Sequence, residues 1–552
     1  MQPEHRTKLR ARLAIPAGLF VLLNLWICLF AQPAALGLVG PDEPRYAFIA
    51  RSMAATGDWV TPRLYGRPWF EKPILYYWTA GIFYRIGGRG EVPARLPSAL
   101  AALATTLAVA WIAARFYGRE AGFYSLLILP GSVAFVGFAR SATPDMPFCA
   151  MLTIALATAA KICLSREFQS DRDGDSPPRE TTPRGALLIF GAALGLATLA
   201  KGPAALILAG GSVGMWAAIS PQWRCAFQLA RAESVIAYCL VALPWYVICA
   251  RRNPDFLRVF LLQHNFERYL TPMFQHRQPV WFFAPILLLG IFPWTAALAW
   301  RAVDAGRARR TGRWRKSSAL FFFCWMIFPV GFFSLSQSKL PAYILPAFPP
   351  LALLLAAGLS RQQSSANRTR TIFAAIGGSW ILVAASAPAW WKKIPPSAFG
   401  AARGELILLA AVGGVAIISA ALTGRMRVAV MSTALLTMLL IEFANIRMLP
   451  RLDPFLSARA AAQQTQTMDD CARRVAGYRL KRDWQYGLSF YLGNELPEWT
   501  PEANVTPAAS NAPGPRCVFT DASQLSAIQR EYPAAVVVAE PSPRAVLLRL
   551  GD

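Results

Sequence analysis

Acidic side chains are scarce in this 552-residue chain: 30 Asp and Glu stand against 56 Lys and Arg, a formal charge of +26. Charge of either sign is thin, at 16% of residues, while hydrophobic residues make up 55% and mean hydropathy is +0.36. That balance excludes an ordinary soluble protein, and the apolar residues come in spans about 20 long, as a bilayer core requires. The basic excess does not indicate nucleic acid, because Lys and Arg punctuate hydrophobic spans instead of forming a stripe or tract. Anionic headgroups and phosphate-bearing substrates are the expected partners. Histidine is nearly absent, with three in the chain. The nine cysteines have no metal-ligand spacing, and seven lie in or beside hydrophobic segments as small apolar fillers. Internal repeats and ionisable residues near mid-span are also missing, which argues against a transporter.

What is present is a series of spans. His5, Arg6, Lys8, Arg10 and Arg12 precede the first, at about Leu13 to Pro33. It is too long for a signal h-region and lacks a cleavage site, so it predicts an anchor with a cytoplasmic N-terminus. Further spans are predicted to start near Val92, Ala121, Pro144, Gly185, Gly202, Ser234, Val280, Ser317, Pro341, Thr371, Glu405 and Val428. That makes about 13 by a 19-residue window. Arg301 to Lys316 holds seven Arg and Lys and falls inside, as do Arg361, Arg368, Arg370, Arg425 and Arg427. The polar stretch Ser165 to Arg184 reads as a mobile cytoplasmic loop. The expected organisation is a transmembrane domain over 1–448 and a small periplasmic α/β domain over 449–552. In the latter, Cys517-Val518-Phe519, Ala535 to Ala539 and Ala545 to Leu550 read as strands, with a helix between the first two. Cys471 and Cys517 both lie there, and in an oxidising periplasm they are either free or paired.

The chain is organised around Gly40 to Gly88, the loop after the first span. After Asp42-Glu43-Pro44, Tyr46, Ile49, Ala50, Met53 and Ala54 recur at helical spacing, with Arg45, Arg51 and Ser52 off that face and Gly57 ending the run. After Glu71-Lys72-Pro73 comes a second run rich in Tyr76, Tyr77, Trp78, Phe83 and Tyr84, which suits a membrane interface. Pro44 and Pro73 suit first helical turns. Asp42 would then be an N-cap. Lys72 at a helix N-terminus opposes the macrodipole unless an anion sits there.

Acids and bases recur at the outer ends of five connections. They are Asp42 with Glu71 and Lys72, then Asp145, then Lys201, then His264 and Arg268, and finally Lys339 with Tyr343. Each has a bland alternative. Asp145 heads an apolar span and suits an N-cap, Lys201 could snorkel to headgroups, and Tyr343 could belong to an aromatic belt. His264 needs no role at a surface, and Arg268 could pair with lipid phosphate. Their common side is the informative part.

Asp42-Glu43-x-Arg45-Tyr46, Gly57-Asp58-Trp59 and Phe70-Glu71-Lys72-Pro73 with Tyr77-Trp78 resemble the first outer loop of the family-39/83 membrane glycosyltransferases, GT-C class enzymes that use polyprenyl-phosphate sugars. Lys339-Leu340-Pro341-x-Tyr343-Ile344-Leu345-Pro346 is similar to a signature of the lipid A 4-amino-4-deoxy-L-arabinose transferases. Ala200-Lys201-Gly202 and Thr143-Pro144-Asp145 look like two further landmarks. The resemblance implies an α-helical polytopic GT-C membrane protein of about 13 transmembrane helices, with amphipathic helices in its first periplasmic loop. It implies an inverting, monomeric enzyme of the bacterial inner membrane, its active site facing the periplasm. Such an enzyme moves a sugar from undecaprenyl phosphate to a lipid acceptor such as lipid A, without nucleic acid. By the same resemblance Asp42 and Asp145 are the catalytic candidates. Lys72, Lys201, Arg268, Lys339 and Tyr343 are substrate-binding candidates, and Glu71 with His264 could hold a divalent metal, zinc or magnesium. A related transferase acting on a protein or glycan, or a polyprenyl-lipid transporter, is the alternative.

Overall fold

The computed structural model describes residues 15–170, 184–267, 278–301, 313–361, 366–391, 400, 402–468, 471, 474–499, 515–542 and 544–550. Among the described residues, eight helices are long and apolar enough to cross a membrane: Glu91–Tyr117, Asp145–Leu164, Arg184–Lys201, Ala232–Arg252, Pro341–Arg361, Ala366–Ala387, Ala402–Leu422 and Met426–Leu456. Three shorter apolar helices, Ile15–Phe30, Ala204–Ile219 and Ser318–Ser334, stand among them. Two expected spans are broken instead of straight. Arg119–Ile128 meets Val133–Ala139 at 67°, and Val280–Gly290 meets Thr295–Arg301 at 115°. The first break falls at Leu129-Pro130-Gly131, where proline and glycine interrupt the helical hydrogen-bond ladder. Each of the thirteen expected spans therefore has an apolar helical counterpart, two of them as bent pairs.

Asp145–Leu164 and Pro341–Arg361 are mostly enclosed by other helices, whereas Ala232–Arg252, Ala366–Ala387 and Ala402–Leu422 are largely unburied. The outer helices expose Leu240, Leu382 and Leu408, as a lipid-facing surface would. Ala366–Trp391 and Ala402–Leu422 approach at two glycines. A Cβ on Gly377 would lie 2.5 Å from the Gly414 carbonyl oxygen, so only hydrogen fits. Small residues allow this backbone proximity where lipid tails offer no hydrophobic drive.

Two helices lie in the organising loop, Asp42–Thr56 and Leu75–Gly87, with a short hairpin of β1 (Arg63–Leu64) and β2 (Arg67–Pro68) between them. Gly57 ends the first as expected: at φ +73° its N–H closes on the Met53 carbonyl at 2.9 Å. Tyr46, Ile49, Ala50 and Met53 are buried, as their spacing predicts. The second helix departs from expectation. Tyr76, Tyr77 and Tyr84 are buried, and the Tyr46 ring meets Tyr76 and Tyr77 edge-on at 6.1 Å. Its tyrosines thus join a core with the first helix, while Trp78 and Phe83 stay partly exposed and the exposed edge is Ile82 and Ile86.

The helix Met426–Leu456 carries on past position 448, where the composition turns polar. Beyond it, β3 (Val475–Tyr478), β4 (Cys517–Asp521), β5 (Val536–Ser542) and β6 (Ala545–Arg549) form a mixed sheet in the order β3-β4-β6-β5. The strand pair β3-β4 is parallel, and β4-β6 and β5-β6 are antiparallel. Helix Leu525–Glu531 joins β4 to β5, as the sequence predicts, while β3 and helix Arg482–Leu492 were not expected. Cys471 and Cys517 form a disulfide, Cα to Cα 5.2 Å, with both side chains buried. The basic loop within 302–312 and most of Ser165 to Arg184 lie outside the described residues.

Candidate active site

A buried ion pair fixes the loop to the membrane helices. Arg95, near the start of Glu91–Tyr117, uses all five of its N–H donors. Nη1 donates to the carbonyls of Pro33 (2.7 Å) and Leu36 (2.5 Å), Nη2 to Gly37 O (2.8 Å) and Glu43 Oε2 (2.7 Å), and Nε to Glu43 Oε1 (3.3 Å). The Glu43 carboxylate also accepts the backbone N–H groups of Val39 (2.8 Å) and Ala142 (2.7 Å). Glu43 is therefore structural. It joins the chain leaving the first helix, the Asp42 helix, Arg95 and the segment leading to Asp145.

Asp42 is the first residue of its helix, whose N-cap is Pro41 without any side-chain cap bond. The expected capping role is not what its carboxylate does. Instead, Oδ1 lies 2.5 Å from Arg45 Nη2, one turn on, and the same nitrogen is 3.0 Å from Glu71 Oε2. Lys72 Nζ stands 3.8 Å from Glu71 Oε1. Lys72 precedes the helix Leu75–Gly87 by three residues, so it serves the carboxylates rather than that helix's first turn. Arg45 is buried, with its guanidinium over the rings of Tyr46 (5.1 Å), Trp69 (5.3 Å) and Tyr486 (5.5 Å). The expectation that Arg45 lies off the buried face fails because the acids and rings around it hold the charge inside.

Asp145 and Lys201 form a close ion pair between the start of helix Asp145–Ser170 and the end of Arg184–Lys201. Gly202, at φ +71°, turns the chain directly after the lysine. The Lys201 ammonium sits over Phe148 at 5.4 Å and Tyr343 at 5.3 Å. Neither the capping reading of Asp145 nor the snorkelling reading of Lys201 describes these contacts, and Tyr343 faces a cation. Asp42 belongs to the same space. Its pKa is raised by burial, opposed by Arg45, raised again by Glu71, lowered by Lys72 and raised by Asp145. Its side chain is still 53% exposed, so the carboxylate remains reachable. Two buried polar atoms at the site, Arg45 Nε and Tyr77 Oη, have no hydrogen-bond partner among the described residues.

Lys339 stands apart in its contacts: its ammonium donates to Ser336 O (2.6 Å) and Gln278 O (2.9 Å). Arg268 and the side chain of His264 lie outside the described residues. Among the described residues no group of three or more His, Cys, Asp or Glu could hold a metal, and both Glu71 oxygens face cations. The Glu71 carboxylate is thus already engaged by two cations. Arg45 was missed as a site residue, although its i, i+3 spacing from Asp42 was a usable signal. Nothing local in the sequence signals Tyr486, 441 positions beyond the Arg45 it covers.

The fold is similar to that of ArnT from Cupriavidus metallidurans bound to undecaprenyl phosphate. The TM-score is 0.75 at 24% identity, covering 97% of each chain. The apo state of the same protein gives 0.76 at 22%, covering 98% of each. The chain has the GT-C fold. In sequence, a family model for dolichyl-phosphate-mannose-protein mannosyltransferase matches residues 15–260 of this GT-C chain, which include Asp42, Glu71, Lys72, Asp145 and Lys201. An undecaprenyl phosphate-alpha-4-amino-4-deoxy-L-arabinose arabinosyl transferase of Edwardsiella ictaluri (strain 93-146) is 31% identical over 347 residues, 62% of this chain and 60% of the relative. One of Sodalis glossinidius (strain morsitans) is 33% identical over 320 residues, 57% of this chain and 54% of the relative. The chain thus matches little more than half the length of these curated relatives.

Proposed function

We propose that this GT-C chain transfers 4-amino-4-deoxy-L-arabinose from undecaprenyl phosphate to a phosphate of lipid A, as a monomer at the periplasmic face of the bacterial inner membrane. The observation that carries the reading is the meeting of Asp42, Glu71 and Lys72 with Asp145 in one electrostatic neighbourhood, assembled from separate elements. The relatives named for this transfer support it.

The donor's leaving group is a phosphate, so the enzyme's main task is to stabilise negative charge as the glycosidic bond breaks. Lys72, beside Glu71, holds the carrier phosphate, joined by Lys201 and Arg268. Asp42 is anchored by Arg45 yet reachable. It orients the acceptor phosphate or fixes the incoming sugar's amine, and would take the proton if the acceptor were a hydroxyl. Asp145, held by Lys201, assists at the acceptor side. A divalent ion on Glu71 and His264 is a separate proposal, since Glu71 would have to exchange cationic partners to bind it. Dialysis against EDTA, with metal content and turnover measured, checks it.

Mass spectrometry of lipid A from cells with and without the chain tests the function. An added aminoarabinose mass that depends on the chain supports it, and its absence with a functional donor supply sinks it. The family model's description favours a second reading, transfer to a protein acceptor. In that case labelled sugar would appear in protein and not in lipid A.

A further inference from the structure

The helix Asp42–Thr56 carries a second basic group toward its far end. Arg51 follows Asp42 by nine residues, about 14 Å along the axis. There a cavity of about 800 Å³ opens between this helix, the turn after Leu75–Gly87 and two C-terminal helices, Arg459–Gln466 and Arg482–Leu492. Arg51, Arg85, Arg89, Gln463, Gln466 and Asn494 line it, over the rings of Tyr84 and Phe490.

The charges in this cavity do not cancel. Glu91 is taken up by Arg459 (3.1 Å) and by the Tyr491 hydroxyl (2.8 Å), and Arg459 is further held by Asp453 at 2.8 Å. Arg51 meets no carboxylate among the described residues; it donates to Phe490 O (2.9 Å) and stacks on that ring at 4.5 Å. Burial lowers its pKa, and the neighbouring Arg89 adds to the lowering. Arg85 and Arg89 are exposed and pair with no carboxylate among the described residues. Three cations and three amides therefore face one space. Beside it, Ile82 and Ile86 flank Arg85 on the helix surface, 49% and 79% exposed. An exposed apolar edge next to unneutralised arginines suits acyl chains below and an anionic headgroup above.

We propose that this cavity binds the phosphorylated sugar headgroup of an anionic glycolipid, with Ile82 and Ile86 against its acyl chains. It rests on the proposed function only in making that lipid the acceptor; binding needs no donor. Phosphate oxygens are held by charge-assisted contacts to the arginines, and sugar hydroxyls by the amides. The headgroup thus lies at one end of the helix whose other end bears Asp42.

The test is equilibrium binding of fluorescent lipid A carrying two phosphates to the purified full chain in detergent. Arg85→Gln/Arg89→Gln should weaken it by about tenfold or more while undecaprenyl phosphate binding and thermal stability hold. Gln463→Glu, which brings a like charge to the ligand, should weaken it independently. Millimolar inorganic phosphate should not displace the probe, and dephosphorylated lipid A should bind less tightly. Wild-type affinity in the double variant overturns the proposal. So does full displacement by inorganic phosphate, which would mark a free-anion site. Both results leave the transferase reading intact. Conversely, a wild-type chain that binds the probe in this way but transfers no sugar to it refutes the proposed function and leaves the cavity standing.

Discussion

Replacing Glu43 by alanine strips Arg95 of two of its five acceptors and leaves the amides of Val39 and Ala142 unanswered. Both partners of the pair are almost fully enclosed, with side-chain exposure of 5% for Glu43 and 6% for Arg95. Removing one member of such a pair costs about 3–5 kcal/mol, because the other charge stays buried without compensation. Glu43→Gln keeps the shape but offers one oxygen in place of two, so its cost should be smaller. The adjacent Asp42 should behave oppositely: Asp42→Asn keeps an acceptor oxygen for Arg45, which Glu71 still neutralises, but loses the charge at the site. Its thermal stability should hold while turnover falls by roughly two or more orders of magnitude. The assay is paired: thermal unfolding in detergent, and sugar transfer from purified donor to lipid acceptor, on the same preparations of each variant. A Glu43→Ala protein that melts with the wild type would refute the structural assignment. An Asp42→Asn enzyme within a few-fold of wild-type turnover would return Asp42 to a structural role and move the search to Asp145.

Lys72→Ala should weaken binding of undecaprenyl phosphate, with Lys72→Arg retaining part of it; unchanged affinity in a folded variant would remove Lys72 from the phosphate site. Activity should fall on acidification through a pKa above the ordinary aspartate value of 3.8, because burial raises that of Asp42, and Asp42→Asn should abolish this limb of the rate profile. The stability linkage runs the other way. A carboxyl with a raised folded-state pKa favours the fold below its unfolded pKa, and that contribution is lost as pH rises through the folded one, so Asp42→Asn should flatten the melting curve's dependence on pH there. Lys201→Ala leaves the Asp145 charge uncompensated near Asp42 and should move the acid limb upward; an unmoved limb would separate the two carboxylates. Gly377→Leu should lower the melting temperature, since its side chain has no room against the Gly414 backbone, whereas Gly378→Leu, in open space, should not.

The spans were legible because a bilayer demands long apolar runs, and no tertiary detail is needed to see them. The breaks at Leu129 to Ser132 and near Phe292 were not, since an apolar run reads the same whether straight or folded back. In the organising loop, spacing found the helix of Tyr46, Ile49, Ala50 and Met53 but misjudged its polar members. Arg45 was set outside, although rings and acids from distant segments draw it in. The tyrosines of the second helix suggested an interface from composition alone, but their partner turned out to be the neighbouring helix, a pairing that periodicity cannot express. Asp42, Glu71, Lys72, Asp145 and Lys201 were legible as a side-specific set, because loop ends alternate across a membrane. Which of them touch was not. The division of labour between Asp42 and Glu43 depends on Arg95, 52 residues away.

The ring of Tyr486 closes over Arg45 from a helix that is translated after every apolar span. While the ribosome is still extending the tail, the nascent protein already has its membrane helices, its acids and its lysines, but Arg45 lacks one of its three aromatic lids. Arg459, which locks Glu91 and Asp453 together, also emerges only then. A chain halted just after Leu456 should insert its membrane helices with Arg45 under two aromatic rings in place of three and with Glu91 and Asp453 not yet joined.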